Sequence, residues 1–355
     1  MTSPALSVLD LVPVRSDQTS ADAVAASVEL IRTADRLGYR RYWVAEHHNM
    51  PAVAATNPPV LIGLLVGQTS RIRVGSGGVM LPNHAPLVVA EQFALLEAAF
   101  PGRIDLGIGR APGTDPVTSW ALRHGAGGVD DSAVERFSEY VDAVLTMMEP
   151  AGAGLDLRGR THVLKATPAA GTVATPWLLG SSDFSARLAA EKGLPYVFAH
   201  HFSGSGTAEA LALYRSAFRP SALLAEPRTF LTVNAAVAPT AEEAERLALP
   251  QLLQMVALRT GQPLTAQRLV EEAEKVVAEG MPESHATLID AMRRRWVIGD
   301  ADGARAEIER LAMSYDVDEV MVHPVAGAVT GTEPSSAPGR VQTLELLAAP
   351  SIGSL

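Results

Sequence analysis

Residues that can do chemistry or approach a ligand closely stand directly after several short apolar segments of this sequence. In chain order these groups are Glu46-His47-His48, Gly77-Gly78, Gly109-Arg110 and the serines Ser181, Ser182 and Ser185. A histidine, whose reference pKa lies near neutrality, can take up and release protons at physiological pH. Serines at the start of a helix, together with an arginine, can bind an anion such as a phosphate group. The residue types therefore predict proton transfer and anion binding.

The first two groups each permit more than one interpretation. Glu46 and its two neighbouring histidines could form a salt-bridge cluster or one half of a metal site. Adjacent residues of an extended strand point to opposite faces, so His47 and His48 cannot easily share one ion, and no metal is expected. Gly77 and Gly78 could form a strand bulge or a barrel corner. They could equally let a flat ligand approach closely, and a cis peptide bond costs least between them.

The serine and arginine groups also have a structural alternative. Ser181 and Ser182, which follow Gly180, are typical of an ordinary helix N-cap. The same helix start offers free N–H groups and a favourable dipole to an anion. Arg110, in a glycine-rich turn, could be solvated or could supply a bidentate contact to that anion.

Apolar and amphipathic segments alternate along most of the chain and position these groups. The short apolar segments are typical of buried parallel strands, and the longer amphipathic ones are typical of helices. About eight such strands, nearly all followed by helices, favour a closed (β/α)8 TIM barrel, which carries its functional residues at the carboxyl ends of its strands. A doubly wound open sheet remains possible, but no Gly-x-Gly-x-x-Gly turn follows the first strand, Leu6 to Val14.

Two segments interrupt this alternation. Residues 149–174 are rich in glycine, alanine and threonine and are expected to form a loop with a short hairpin. Residues 252–295 are expected to form two extra helices, and such insertions decorate one end of a barrel. Neither segment has the proline- or serine-rich flanks of a domain boundary. Residues 1–355 are therefore predicted to form one domain.

Composition and charge limit the class of protein further. With 47% hydrophobic and 19% charged residues among 355, a disordered chain is excluded. The lack of cysteine excludes disulfides, thiolate metal sites and a cysteine nucleophile. A net charge of −10 argues against nucleic acid and anionic membranes as partners. No targeting segment or membrane-spanning run is recognised, so a cytoplasmic location is expected.

Taken together, the motifs resemble those of the bacterial luciferase-like flavin monooxygenases. The resemblance rests on Glu46-His47-His48, on Arg71-Ile72-Arg73-Val74-Gly75 through Leu81-Pro82-Asn83-His84, and on Gly102-Arg103-Ile104-Asp105-Leu106-Gly107-Ile108-Gly109-Arg110. The second of these segments is the most specific. The resemblance covers nearly the whole chain, from Asp10 to His323, and is closest to the short single-chain branch of the family.

The resemblance implies a (β/α)8 barrel that binds FMN at the carboxyl ends of its strands. His47 matches the histidine near the reactive edge of the flavin ring and is the expected catalytic residue. Gly77 and Gly78 match a pair that packs against the isoalloxazine, and Gly109 matches a position beside the ring. The residues expected to complete the cofactor site, chiefly around its phosphate, are Glu46, Arg110, Arg136, Ser181, Ser182 and Ser185.

The implied reaction uses reduced FMN and O2 to oxidise a small organic substrate, whose identity the sequence does not give. A separate reductase is expected to supply the reduced flavin, because no NAD(P)H site can be recognised. A homodimer is expected because members of the family commonly pair through early helices.

Three other functions stay open at this point. A deazaflavin-dependent dehydrogenase or reductase on the same barrel would share the phosphate site but transfer hydride without oxygen. A metal-dependent barrel hydrolase could use His47, His200, His201 and His323, although these lack a recognisable ligand spacing. A barrel of this family could also bind a ligand without catalysis.

Overall fold

The computed structural model describes residues 3–111, 116–124 and 132–348. The strands in these ranges are β1 (Ala5–Asp10), β2 (Arg41–Val44), β3 (Arg73–Ser76), β4 (Val79–Met80), β5 (Ile104–Gly109), β6 (Ala153–Leu157), β7 (Arg160–Leu164), β8 (Thr175–Gly180), β9 (Tyr196–Phe198), β10 (Thr229–Val237), β11 (Val297–Gly299) and β12 (Glu319–Pro324). The helices are α1 (Ser20–Leu37), α2 (Pro58–Val66), α3 (Pro86–Ala99), α4 (Pro116–His124), α5 (Ser132–Glu135), α6 (Phe137–Met148), α7 (Asp183–Lys192), α8 (Thr207–Ala217), α9 (Ala241–Arg259), α10 (Val270–Ala278), α11 (Glu283–Arg293), α12 (Ala301–Tyr315) and α13 (Pro338–Ala348).

Eight parallel strands close into a barrel in the order β1, β2, β3, β5, β8, β9, β10 and β12. Val8 of β1 pairs with Tyr42 of β2 on one side and with Val322 of β12 on the other, so the last strand returns to the first. The predicted (β/α)8 barrel is confirmed, and the open doubly wound sheet is wrong.

The third predicted strand, residues 72–81, is divided in two. The strand β3 ends at Ser76, a cis peptide bond joins Gly77 to Gly78, and β4 then pairs with β5. A Cβ on Gly78 would lie 2.8 Å from the backbone of Gly107, because this connection is pressed against β5. From the sequence, a bulge, a barrel corner or a cis peptide bond was possible at this pair of glycines, and the structure has the cis bond.

The helix boundaries follow the capping signals of the sequence. The helix α1 begins after Thr19, whose side chain accepts from the backbone N–H of Asp22, and it ends at Gly38. The φ of Gly38 is 82°, in the left-handed region that glycine adopts without strain. The helix α2 begins after Asn57, whose side chain accepts from the backbone N–H of Val60.

Both inserted segments form regular structure. Within residues 149–174, β6 and β7 form the expected antiparallel hairpin. Within residues 252–295, the long helix α9 continues to Arg259, and α10 and α11 are the two extra helices. The sequence did not predict the short strand β11, which pairs with the end of β10.

Aromatic rings fill the barrel interior toward the amino ends of its strands. Trp43, Trp177 and Phe230 contact one another with ring centroids 5.7, 5.2 and 5.0 Å apart. The guanidinium carbon of Arg41 lies 4.8 Å from the centroid of the Trp177 ring. This packing fills the barrel interior, and a (β/α)8 barrel carries its functional residues at the carboxyl ends of its strands.

Candidate functional site

Glu46 is the centre of a hydrogen-bonded cluster at the carboxyl end of β2. Its Oε1 lies 2.8 Å from Nε2 of His48 and 2.7 Å from Nε2 of His84, and its Oε2 accepts from the backbone N–H of Met80 at 2.9 Å. Burial raises the pKa of Glu46, but the hydrogen bonds from the two histidines outweigh burial and hold the pKa at about 2. Glu46 is therefore an ionised, buried carboxylate that ties the end of β2 to β4.

The same cluster is the set of described residues that could hold a metal ion. One donor atom from each of Glu46, His48 and His84 lies within 4.8 Å of the others. A carboxylate with two imidazoles is a donor set that zinc and ferrous iron use. From the sequence, Glu46, His47 and His48 were expected as a salt-bridge cluster or half of a metal site, and His84 had no assigned role; the structure joins His48 and His84, but not His47, to Glu46.

His47 stands outside this cluster, as expected for neighbouring residues of an extended segment. Its backbone N–H donates to the carbonyl of Ala55 at 2.8 Å, while its Nδ1 is buried and has no hydrogen-bond partner among the described residues. Burial lowers the pKa of His47, so its imidazole is neutral at pH 7. A buried polar atom without a partner costs about 1–3 kcal/mol, which makes a bound group the natural partner of this nitrogen.

Two further histidines lie at neighbouring strand ends. Nδ1 of His201 is 2.9 Å from Oγ1 of Thr232, and Nδ1 of His323 is 2.8 Å from Oδ1 of Asn234. Burial lowers the pKa of His201 to about 4 and that of His323 well below its ordinary value, and the nearby His47 lowers both. Three neutral imidazoles therefore stand together at the carboxyl ends of β2, β9 and β12.

His200 does not join these three imidazoles. Its Nδ1 is 2.8 Å from Oγ1 of Thr207, and its ring packs against that of Tyr315 with centroids 5.3 Å apart. In the described ranges, the histidines of the hydrolase hypothesis do not form a set close enough to bind one ion. That hypothesis therefore gains no support from the geometry.

The three glycines of the predicted ring site have different surroundings. A Cβ on Gly109 would have the carbonyl oxygen of Val79 as its nearest neighbour, at 3.8 Å, so this position has the space expected beside a ligand. A Cβ on Gly77 would lie 2.9 Å from a methyl carbon of Leu9. Gly77 and Gly78 are therefore required by the packing of the barrel itself, and their contact with a flavin ring stays a prediction.

Arg110 and the serine-rich start of α7 are neighbours in space. The guanidinium carbon of Arg110 lies 4.0 Å from the ring centroid of Phe184, in the first turn of that helix. Ser182 is the N-cap residue but makes no side-chain capping bond, and both Ser181 and Ser182 are exposed. This arrangement of a cation, two hydroxyl groups and a helix N-terminus suits a phosphate group.

Ser185 and Arg136 have other surroundings. Ser185 is buried against Gly180, where an added Cβ would lie 2.5 Å from the Ser185 hydroxyl oxygen. Arg136 donates to Glu139 at 2.7 Å and packs against the ring of Tyr140, and its side chain is 56% exposed. A phosphate contact by either residue stays a prediction.

Two residues that orient the histidines were not predicted from the sequence. Thr232 and Asn234 lie two residues apart in the buried strand β10, so both point to the same face of the strand. A threonine and an asparagine at this spacing within an apolar strand are the signal that could have found them.

A closed barrel with histidines, glycines and a serine-rich helix start at the carboxyl ends of its strands has the architecture of a (β/α)8 enzyme. The model of the luciferase-like monooxygenase family matches residues 6–316, and the chain belongs to this family. It is 38% identical to the luciferase-like monooxygenase of Escherichia coli (strain K12) over 319 residues, which cover 90% of this chain and 91% of that protein.

Three further proteins are similar to this chain in sequence or in fold. The chain is 32% identical to the N-acetyl-S-alkylcysteine monooxygenase of Bacillus subtilis over 329 residues, which cover 91% of this chain and 94% of that protein. The crystal structure of apo-MsnO8 has a TM-score of 0.83 and 32% identity and covers 97% of both chains. The oxygenating constituent of 3,6-diketocamphane monooxygenase from Pseudomonas putida, in complex with FMN, shares the fold, with a TM-score of 0.71, 17% identity and coverage of 98% of this chain and 97% of that one.

Proposed function

We propose that the protein is a monooxygenase that uses reduced FMN and O2 to oxidise a small organic substrate, with His47 as its catalytic residue. The observation that carries the proposal is the buried Nδ1 of His47, which has no partner among the described residues and lies at the carboxyl end of β2, where (β/α)8 barrels carry their functional residues. Reduced FMN, when bound, supplies the electrons that activate oxygen.

Different residues of the chain would hold the phosphate, make room for the ring and transfer the proton. Arg110 and the backbone N–H groups at the start of α7 would hold the phosphate, since a guanidinium group and a helix N-terminus both favour an anion. The open surroundings of Gly109 leave space for the ring. His47, neutral because burial lowers its pKa, would accept or pass on a proton at Nδ1.

A deazaflavin is the alternative cofactor. An F420-dependent secondary alcohol dehydrogenase has the same fold as this chain, with a TM-score of 0.65, 14% identity and coverage of 98% of both chains. The relative that is named as an N-acetyl-S-alkylcysteine monooxygenase is more similar in sequence, at 32% identity, and favours the oxygen reaction.

Titration of the protein with FMN, riboflavin and F420, followed by flavin fluorescence, tests the cofactor. We expect Arg110→Ala to weaken FMN binding about 10- to 150-fold, the equivalent of about 1.5–3 kcal/mol for a charge-assisted contact. Riboflavin, which has no phosphate, should bind both proteins almost equally. As a control, Arg187→Ala removes an exposed arginine of α7 and should leave FMN binding unchanged.

Each alternative outcome of this titration has a definite meaning. Equal losses for FMN and riboflavin in Arg110→Ala would show that Arg110 supports the fold rather than the phosphate. Tighter binding of F420 than of FMN would show that the cofactor is a deazaflavin and not FMN. Binding of neither cofactor would contradict the proposed function.

We also propose that two copies of the chain pair through α2 and α3. These adjacent helices expose Val60, Leu64, Val88 and Leu95, each 48–59% exposed, and burial of such a patch is favourable. Light scattering should give twice the 37.4 kDa of one chain. The variant Leu64→Glu/Leu95→Glu should give a single chain, whereas the equally exposed Met313→Glu on α12 should not. A wild-type monomer at micromolar concentration would overturn this proposal.

The other expected partner is a separate reductase that supplies reduced flavin, and it stays a proposal together with a cytoplasmic location. Within the described ranges, no helix has the length and apolar composition that a membrane span requires. If the reductase only supplies reduced FMN, reduced FMN that is generated chemically should sustain turnover without any reductase.

A further inference from the structure

The hydrogen bonds of Asn234 fix the protonation pattern of His323. The amide nitrogen of Asn234 donates to the backbone carbonyl of His201 at 2.7 Å, so the amide oxygen is the atom that faces Nδ1 of His323, at 2.8 Å. A carbonyl oxygen can only accept, so Nδ1 of His323 carries the proton. In a neutral imidazole the other nitrogen, Nε2, then carries an unprotonated lone pair.

The same reasoning applies to His201. The hydroxyl group of Thr232 has one proton, which it donates to the carbonyl of Phe198 at 3.1 Å. It therefore accepts from Nδ1 of His201 at 2.9 Å, and Nε2 of His201 also carries a lone pair. The rings of His201 and His323 are 6.3 Å apart and nearly perpendicular. Neither Nε2 makes a hydrogen bond with a residue that the structure describes.

Both rings stay neutral at physiological pH. Burial lowers the pKa of each; His200 and His47 lower the pKa of His201 further, and His201 lowers that of His323. Asp10 favours a charge on His323, but burial and the neighbouring His201 and Arg340 outweigh it. The two Nε2 atoms are therefore hydrogen-bond acceptors and not donors.

We propose that Nε2 of His201 and Nε2 of His323 accept hydrogen bonds from a neutral donor group of the organic substrate, such as a hydroxyl, amino or amide N–H group. The proposal rests on the proposed function and makes the two histidines specificity-determining residues next to His47. A carboxylate has no proton to offer and would face two lone pairs. The site therefore selects neutral donor-bearing molecules over anions of the same size.

Calorimetry on the FMN-loaded protein with benzyl alcohol, benzyl methyl ether and benzoate tests this selection. We expect the alcohol to bind about 3- to 10-fold more tightly than the ether or the benzoate, the usual effect of one hydrogen bond. His201→Phe and His323→Phe should each reduce the preference. His200→Phe, which changes a neighbouring imidazole outside the group, should preserve it.

A substitution that reverses the sign of the selection gives a sharper test. Asn234→Asp places a carboxylate against Nδ1 of His323, which favours the doubly protonated ring and turns its Nε2 into a donor. We expect this variant to bind benzoate more tightly than the wild type does and to lose its preference for the alcohol. Retained FMN binding shows that the variant is folded.

The possible failures can be separated. Equal affinity for alcohol and ether in the wild type, no binding of the alcohol, or a preference that survives both phenylalanine variants would overturn the inference. Loss of FMN binding in both phenylalanine variants would assign the two histidines to the cofactor and would also overturn it. If the wild type bound no FMN, the proposed function would fail, and the same three ligands on the cofactor-free protein would still decide the inference.

Discussion

His47→Ala should lower turnover about 10²- to 10⁴-fold and leave the affinity for reduced FMN within a few-fold. The variant removes the imidazole whose buried Nδ1 has no partner among the described residues, while the residues proposed to hold the phosphate stay in place. Stopped-flow oxidation of bound reduced flavin, with assay of released hydrogen peroxide, measures the step. Because burial lowers the pKa of His47, the wild-type rate should fall only at pH values below 6.5, the ordinary pKa of a histidine. The variant should lack this decrease at acidic pH.

Two control variants separate the catalytic role of His47 from a structural one. His48→Ala removes a partner of the Glu46 carboxylate and should cause a smaller loss, because His48 acts through Glu46. His162→Ala on the exposed strand β7 should cause none. An unchanged oxidation rate and unchanged peroxide release in His47→Ala would show that the histidine only packs the end of β2.

Local chemistry made much of the fold predictable. The ends of α1 follow from Thr19 and Gly38, whose preferences act within one turn of the helix. The barrel follows from the alternation of apolar and amphipathic segments, because few topologies bury such strands on both faces. The predicted hairpin within residues 149–174 lies in the stretch that breaks this alternation.

The parts that could not be predicted depend on contacts between residues far apart in the chain. His84 reaches Glu46 across 38 positions, and Asn234 reaches His323 across 89. Local sequence preferences do not predict such pairs, since each residue alone is compatible with a solvated loop or a buried strand. The strand β11 has only three residues and forms because β10 offers it an edge. The position of His47 after β2 could be predicted because its sequence neighbours, Glu46 and His48, belong to the same motif.

A buried ion-pair network at the amino ends of the strands is the largest feature that the sequence did not predict. Arg41 donates to Glu319 at 2.6 Å and to Asp105 at 2.8 Å, and all three side chains are almost completely buried. Arg73 also donates to Asp105 at 2.6 Å. The network links β2, β3, β5 and β12 at the end of the barrel opposite the candidate site.

Arg41→Met should lower the free energy of unfolding by about 3–5 kcal/mol, because it leaves two buried carboxylates without their shared cation. Urea unfolding of the cofactor-free protein measures the loss. Arg36→Met, which removes an arginine from an exposed pair with Glu345, should cost about 0–1 kcal/mol. Any Arg41→Met protein that folds should bind FMN with wild-type affinity, because the network lies at the opposite end of the barrel from the residues proposed to hold the phosphate.

Removing a carboxylate together with Arg41 tests whether the cost comes from charge or from lost packing. The double variant Arg41→Met/Glu319→Gln removes one of the two uncompensated charges and should recover part of the stability lost in Arg41→Met. If the two substitutions only added their separate costs, the loss would come from the packing of the Arg41 side chain against Trp177 rather than from buried charge. A loss below about 1 kcal/mol in Arg41→Met itself would show that Arg73 and Arg40 alone neutralise the two carboxylates.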